Sequence, residues 1–363
     1  MEKPALFYNA KVKSWDVIVI GGGIIGLSLS IALRKRGAKV LVVERGEPGQ
    51  EASHAAAGML VECGIETPAV LQPLATASAR MYPEFVHELQ DESGINVDLR
   101  DQGTILFPAE HLQASPGLAD IAPPPLDALE PALADPGIPG VFLQERSVDP
   151  RALGTAALRT ARHRDVDISS GTEVKDVLLS SERVSGVRTE KTSYAATAVV
   201  NCAGAWAGQI PPHRFPTRPV KGQMLSLVAA PRNVLRHVIR APEVYLVPRS
   251  DGRIVIGSTL EEAGYDKRTD VDTIQRLHHA AIRMVPALSE ARMLEAWAGL
   301  RPGTPDALPI LGATAIPGYF VATGHFRDGI LLAPITAHLM AQVITGVKPE
   351  YDISAFSPAR FAN

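Results

Sequence analysis

Cysteine is nearly absent: the 363 residues hold only Cys63 and Cys202, far apart and without a Cys-x-x-Cys spacing. That excludes a disulfide-rich secreted scaffold and the common zinc frameworks, and no metal is expected. Both cysteines read as small core hydrophobes. A surplus of one charge is also missing, since 36 Lys and Arg against 39 Asp and Glu leave a net −3. Without a basic excess the chain lacks the main source of nucleic-acid affinity, so no nucleic-acid partner is expected. Long apolar runs are absent too. The opening MEKPALFYNAKVKSW has none of signal-peptide length, and later apolar stretches are broken by glycine and too short to cross a bilayer. A cytoplasmic protein without a membrane partner is the expectation.

What remains is ordinary globular material. Hydrophobic residues make up 46% and charged residues 21%, which rules out disorder as the dominant state. The length suits two domains at about 150 residues each. It also allows a core large enough to need no covalent or metal staple.

The chain opens on DVIVI (16–20), then Gly21, Gly22 and Gly23, then a helical period from Ile24 to Lys35, then a second apolar strand from Val40 to Val43 ending at Glu44. A right-handed crossover makes those strands parallel. QEASHAAAGML (50–60) can start a helix after a loop, 74–93 reads as an amphipathic helix, and Pro150 to His163 reads as another. Residues 115–140 carry seven prolines and read as outer loop with one short helical piece. Ala198–Cys202 and Gly318–Ala322 look like buried parallel strands. Residues 219–258 look antiparallel, with EVYLVPR, Ser250-Asp251-Gly252 and RIVIGS forming a hairpin. Helices are expected over 270–285 and from Ala333 to Thr345. The fold class is therefore α/β: a nucleotide-binding unit made of several segments, interrupted by a mainly antiparallel sheet.

The chemistry begins at Gly21-x-Gly23-x-x-Gly26. Gly21 allows the tight turn, Gly23 lets a pyrophosphate approach the backbone, and Gly26 lets helix and strand pack closely. The helix N-terminus offers N–H groups and a positive dipole end to phosphate. Glu44 ends the next strand and can accept hydrogen bonds from a ribose diol. The fingerprint alone does not separate NAD from FAD. Small residues at Ser53, Ala55, Ala56, Ala57 and Gly58 suit a large flat cofactor, and an alanine-rich core helix is the competing reading. VVNCAGAWAG (199–208) and GYFVATGHFRDGILLAP (318–334) each give a strand, a glycine turn and a helix start. The N–H groups of the latter would face the pyrimidine end of a flavin, where negative charge grows on reduction.

DVIVIGGGIIG, AAAGML, VVNCAGAWAG, PVKGQMLSL, YLVPRSDGRIVIGST, WAGLRPGTPDALPILG and ATGHFRDGILLAP, in that order, resemble the D-amino-acid oxidase family of FAD enzymes. Within it they resemble the glycine oxidase branch associated with thiamin thiazole synthesis. The resemblance runs from Trp15 to Gly346 and departs in an extra segment ahead of the first strand. It implies an FAD-binding Rossmann-like domain over 14–85, 143–215 and 298–350, with a substrate-binding domain over 86–142 and 216–297. It implies cofactor contacts at Gly21, Gly23, Ile24, Ile25, Gly26, Glu44 and Arg45, then at Ser53, Ala56, Ala57, Gly58 and Met59. Further contacts fall at Val174, Ala203, Gly204 and Trp206, and at His325, Arg327, Asp328, Gly329, Ile330 and Leu331. A homo-oligomer is also implied. Sarcosine oxidases of the superfamily attach flavin through a cysteine in the C-terminal third; here no cysteine follows Cys202, so the FAD is expected to be non-covalent.

Three residues are the substrate-side candidates. In EAWAGLRPG, strand alternation puts Trp297, Gly299 and Arg301 on one face, and Arg301 can present its planar fork to a carboxylate. An arginine reaching solvent is the competing reading. Tyr245 can add a hydroxyl to the same carboxylate, or can be a core tyrosine satisfied elsewhere. Arg327 can guard the flavin edge or pair with Asp328 or another acid. His278-His279 reads as a solvated helix face, and His54 and His325 as packing or flavin contacts.

The reaction expected is oxidation of glycine, sarcosine or D-alanine by hydride transfer from Cα to flavin N5. O2 is reduced to H2O2, and the glycine imine is hydrolysed or passed to thiazole synthesis. No side-chain base is required; orientation and the flavin environment carry the rate. Three alternatives are a D-amino-acid dehydrogenase passing electrons to a quinone, a flavin-dependent tRNA-modification module, and a non-enzymatic FAD-stabilised structural protein, against which the Tyr245 and Arg301 constellation argues. The first calls for a membrane-facing apolar or basic patch, and the net charge argues against the second.

Overall fold

In the computed structural model the described residues are 14–62, 67–109, 125–134, 137 and 139–361. Cys63 and half of the proline-rich stretch, including 115–124, lie outside them.

Ser14–Ile20 is buried on both faces because it is the middle of a sheet. It pairs in parallel with Val40–Val43 on one side and Ser193–Asn201 on the other. Its side chains alternate between two cores. Val17 and Val19 join the helix layer formed by Ile24–Lys35, Gln72–Ser93, Pro150–His163 and Ala333–Ile344, while Ile18 and Ile20 face the opposite layer with Val177, Val187 and Phe215. Continuous apolar runs are what a parallel sheet covered on both faces requires. The sheet order is Ile310–Ala313, Tyr319–Thr323, Ser193–Asn201, Ser14–Ile20, Val40–Val43, Asp167–Ser169. Ser193–Asn201 is shared: Ser193 to Ala195 pair antiparallel with Arg183–Thr189, and Val199 to Asn201 pair parallel with Tyr319–Thr323.

Helix boundaries follow local chemistry. Asp149 caps Pro150–His163 by accepting from the Arg151 and Ala152 N–H groups at 2.9 and 3.4 Å. Gly94 ends Gln72–Ser93 in the left-handed conformation, φ +67°, with its N–H on the Gln90 carbonyl. Residues 50–60 yield only one helical turn, Ala52–Ala55, followed by a short strand at Met59–Leu60. Leu126–Leu129 is the short helical piece expected in the proline-rich region, and Leu126 and Leu129 pack against the second core.

That second core belongs to a seven-stranded sheet. Its order is Arg292–Gly303, Arg218–Val228, Arg253–Gly257, Tyr245–Pro248, Val238–Arg240, Thr104–Leu106, Val141–Leu143. All pairings are antiparallel except Val238–Arg240 with Thr104–Leu106. Val271–Met284 covers one face through Ile274, Leu277 and Ala281. The other face carries Met224, Val247 and Val255, with Tyr245 and Trp297 packed against them and Ala57 reaching over from the first unit. His279 is exposed as expected, but His278 is half-buried and its Nε2 has no partner among the described residues. Arg292–Gly303 is one continuous strand, so position 298 lies within it. Among the described residues, no helix is long and apolar enough to cross a membrane.

Candidate active site

A cavity of about 890 Å³ lies between the end of the parallel sheet and the apolar face of the antiparallel one. At its first wall the chain turns sharply after Ile20. Gly21 has φ +103°, and a Cβ there would sit 2.6 Å from the Cys202 carbonyl oxygen. Gly23 caps the helix without a side chain, and the first helical turn holds no acid. Ser53 Oγ approaches this end from another segment and accepts the Ile24 N–H at 3.0 Å. An acid-free, glycine-capped helix start facing a cavity suits a pyrophosphate. Glu44 is anchored by two amides: Oε2 accepts from the Gly22 N–H at 2.7 Å and Oε1 from the Gly46 N–H at 2.8 Å. Each carboxylate oxygen keeps a lone pair for a sugar hydroxyl. Beside it the Arg45 guanidinium lies 3.5 Å from the Trp206 ring centroid and pairs with Glu51 at 2.8 Å.

The other cofactor segments are pinned by residues that the sequence, Trp297 apart, does not single out. Asn201, fully buried, donates to the Ala207 carbonyl and accepts the Ala203 N–H, which fixes the Ala203–Gly204 turn. Ala55 and Ala57 present their carbonyls to Trp297 Nε1 at 3.1 Å and to the buried guanidinium of Arg249. Tyr82 and Ser78 donate to the carbonyls of Ile330 and Leu331, holding the last glycine turn against Gln72–Ser93. These pinning contacts are legible only once elements far apart in sequence have met.

Of the site residues expected from the sequence, all but Gly26 and Leu331 line the cavity. Gly26 sits behind the wall, packed on the Gly21 carbonyl. Leu331 packs in the helix core instead, and its carbonyl accepts from Ser78 Oγ. Cys202 is buried in the same core, and burial pushes its thiol pKa up.

His325 is buried with Nε2 at 3.1 Å from Thr336 Oγ1, and burial pulls its pKa down to about 3. In the unfolded chain the imidazole titrates near its ordinary 6.5. Between those values the unfolded state binds the extra proton. The contribution is therefore complete above pH 6.5 and is lost as pH falls toward 3. His325→Gln should flatten the acid side of the stability curve in that window. Urea unfolding at several pH values checks this, and an unchanged slope would contradict it.

At the far wall, strand register places Trp297, Met224, Gly257 and Tyr245 in one row across the sheet. Tyr245 Oη lies 3.7 Å from Met224 Sδ. Arg301, one strand-step beyond Gly299, is mostly desolvated. It donates to Ser258 Oγ at 2.7 Å and to the Thr259 carbonyl at 3.2 Å, both neutral acceptors. Burial lowers its pKa, the neighbouring Tyr245 raises it, and the Arg327 charge lowers it again. Burial raises the Tyr245 pKa, and the Arg301 charge and hydrogen bonds with Ser258 and Arg301 pull it back. Arg327 stands 5.4 Å from the Phe326 ring and projects its field onto both. Two cations and a neutral phenol thus face one cavity, a composition that favours a carboxylate. Ser258 and Thr259 escape sequence reasoning because Gly-Ser-Thr after a strand reads as a plain strand end.

The family described as FAD dependent oxidoreductase (DAO) matches residues 16–343. The bifunctional protein ThiO/ThiG of Trichormus variabilis is 37% identical over 363 residues, covering 95% of this chain and 55% of its own length. The chain thus spans about half the length of that relative. The glycine oxidase of Pseudomonas aeruginosa is 32% identical over 365 residues, covering 94% of this chain and 98% of its own. The crystal structure of glycine oxidase from Geobacillus kaustophilus superposes with a TM-score of 0.89 at 30% identity, over 96% of this chain and 100% of that one. The glycine turn, the glycine-capped helix start and the amide-held Glu44 fit FAD, and the chain belongs to the DAO family of FAD-dependent oxidoreductases.

Proposed function

We propose that this protein oxidises glycine or a similarly small amino acid, such as sarcosine or D-alanine, with O2 as the electron acceptor. The observation that carries this reading is the position of Arg301 and Tyr245. They face the same cavity as the glycine-turned helix start, so a carboxylate held at one wall puts its Cα toward the cofactor crevice. Bound FAD supplies the acceptor for the Cα hydride and the route of its two electrons to dioxygen. The chain's own residues bind and orient. Arg301 offers a planar fork to the carboxylate, Tyr245 a hydroxyl, and Arg327 further positive potential. The neutral amine lone pair drives loss of the Cα–H hydride. For glycine the resulting iminium takes up water to give glyoxylate and ammonium, and dioxygen, on taking the hydride equivalent and the proton shed by the substrate ammonium, leaves as hydrogen peroxide. No group near the Cα position is needed as a base. His325, held neutral and bonded to Thr336, is not required as one.

The same reading takes the cofactor as non-covalent and the protein as a cytoplasmic homo-oligomer. It takes 14–85, 143–215 and 298–350 as the FAD-binding unit, and 86–142 and 216–297 as the substrate-binding one. The ThiO/ThiG relatives support a role in supplying glycine imine for thiamin thiazole synthesis. Peroxide release from glycine, sarcosine and D-alanine should exceed that from D-phenylalanine and D-tryptophan. Robust turnover of the aromatic substrates with none of glycine would move the chain to another branch. Anaerobic reduction followed by quinone instead of oxygen separates the dehydrogenase alternative. Acid precipitation should leave the yellow chromophore in the supernatant; flavin retained in the pellet would sink the non-covalent assignment.

A further inference from the structure

We propose that Gly222 and Gly257 are positioning residues for the carboxylate anchor, the bare backbone on which Arg301 and Tyr245 lie. The proposal rests on the reading of Arg301 and Tyr245 given above. A Cβ added to Gly222 would meet Arg301 Nη1 at 2.2 Å, Nη2 at 2.5 Å and Cζ at 2.6 Å. A Cβ added to Gly257 would meet Tyr245 Oη at 2.5 Å and Cζ at 2.7 Å. Neither glycine has a left-handed φ, so no left-handed turn calls for glycine at either position. Glycine weakens a strand, and both positions are within one. What they provide is the missing Cβ.

The register shows how this works. Arg301 is paired with Val220, and its side chain runs sideways over the neighbouring Gly222, while Gly257 is paired directly with Tyr245. A flexible arginine would normally step aside for one methyl group. This one is held on its other side by Ser258 Oγ and the Thr259 carbonyl. The guanidinium is thus clamped between bare strand backbone and the Ser258–Thr259 segment, with its plane set before any substrate arrives. Gly299, the partner of Gly222, serves a different contact. Its Cβ would strike Ala55 Cβ at 2.3 Å, so it admits a cofactor segment rather than the anchor.

A double-mutant cycle between Gly222→Ala and Arg301→Ala tests this, read by three measurements on the flavin-loaded protein. The first is the apparent Kd for acetate, from the flavin absorbance shift. The second is KM and kcat for glycine, and the third is the melting temperature. Gly222→Ala alone should raise Kd and KM tenfold or more, change kcat by less than threefold, and lower the melting temperature. In the Arg301→Ala background the same alanine should add nothing to Kd or KM. It should leave the melting temperature level or raise it, because the clashing guanidinium is gone. Gly257→Ala should behave likewise against Tyr245→Ala. An equal fall in melting temperature in both backgrounds would overturn the proposal and make Gly222 a requirement of the strand itself. If glycine is not oxidised and acetate does not bind, the proposed function fails, while the melting-temperature cycle still decides whether Gly222 acts through Arg301.

Discussion

Truncating Arg301 to Leu should raise the Kd for glycine roughly ten- to a few-hundred-fold and leave the FAD spectrum intact. A hydrogen bond to a charged group is worth about 1.5–3 kcal/mol, and each 1.4 kcal/mol is about a factor of ten in affinity. The site is well suited to show that loss in full. Arg301 is largely desolvated, its present partners are a hydroxyl and a carbonyl, and removing it takes away the two-point partner of the substrate carboxylate, leaving the Tyr245 hydroxyl and the Arg327 charge. Arg301→Lys should recover only part of the affinity, since an ammonium cannot make a planar two-point contact and is more strongly hydrated. The cofactor should be indifferent. Arg301 belongs to the antiparallel sheet, while Gly21, Gly23 and Glu44 belong to the parallel one. Stopped-flow flavin reduction against glycine concentration reports Kd and the reduction step separately. A Leu variant that binds glycine as tightly as wild type would remove Arg301 from the site and leave Arg327 as the anchor to test.

The sequence exposes the parts of this molecule that local rules control. DVIVI, the glycine cluster and VLVVE are legible because a doubly covered parallel strand must be apolar throughout and a tight turn onto a helix needs glycine. The Ser250-Asp251-Gly252 hairpin is legible for the same reason. Arg301 and Tyr245 are legible as faces of strands, since alternation fixes which side chains point together. Long-range closure is what escapes. Ser258 matters because it meets a guanidinium 43 residues away, and Asn201 because its amide fits one particular turn. Leu331 departs from expectation for a related reason: an apolar residue beside a flavin-type turn can face the cofactor or the core. Here it packs in the helix core, whose other side chains come from segments far away in sequence. The alanine-rich 50–60 segment, open to a helix on propensity, becomes a single turn. There Trp297 and Arg249 take the carbonyls of Ala55 and Ala57 that a longer helix would have used.

Gly26→Ala should abolish stable FAD binding through a single added methyl group. The new Cβ would lie 2.0 Å from the Gly21 carbonyl oxygen and 3.1 Å from Val19 Cγ1. The first contact is backbone, which has no rotamer through which to yield. The helix start must therefore lift from the end of Ser14–Ile20, carrying with it the Ile24 N–H held by Ser53 and the amides around Gly23. Overpacking a well-filled site of this kind costs about 1–3 kcal/mol in stability. The loss in cofactor affinity should be greater, because several phosphate-facing N–H groups move together. Gly154→Ala is the matched control. Gly154 lies inside Pro150–His163, its added Cβ has no neighbour within 4 Å, and alanine is favoured over glycine in a helix by about 1 kcal/mol. That variant should keep its flavin and melt slightly higher than wild type. Flavin-to-protein absorbance ratios after desalting, with far-ultraviolet circular dichroism to show that each chain is folded, give the comparison. Wild-type flavin content in a folded Gly26→Ala protein would mean that the helix start does not need its close seat on the Gly21 turn to hold the pyrophosphate.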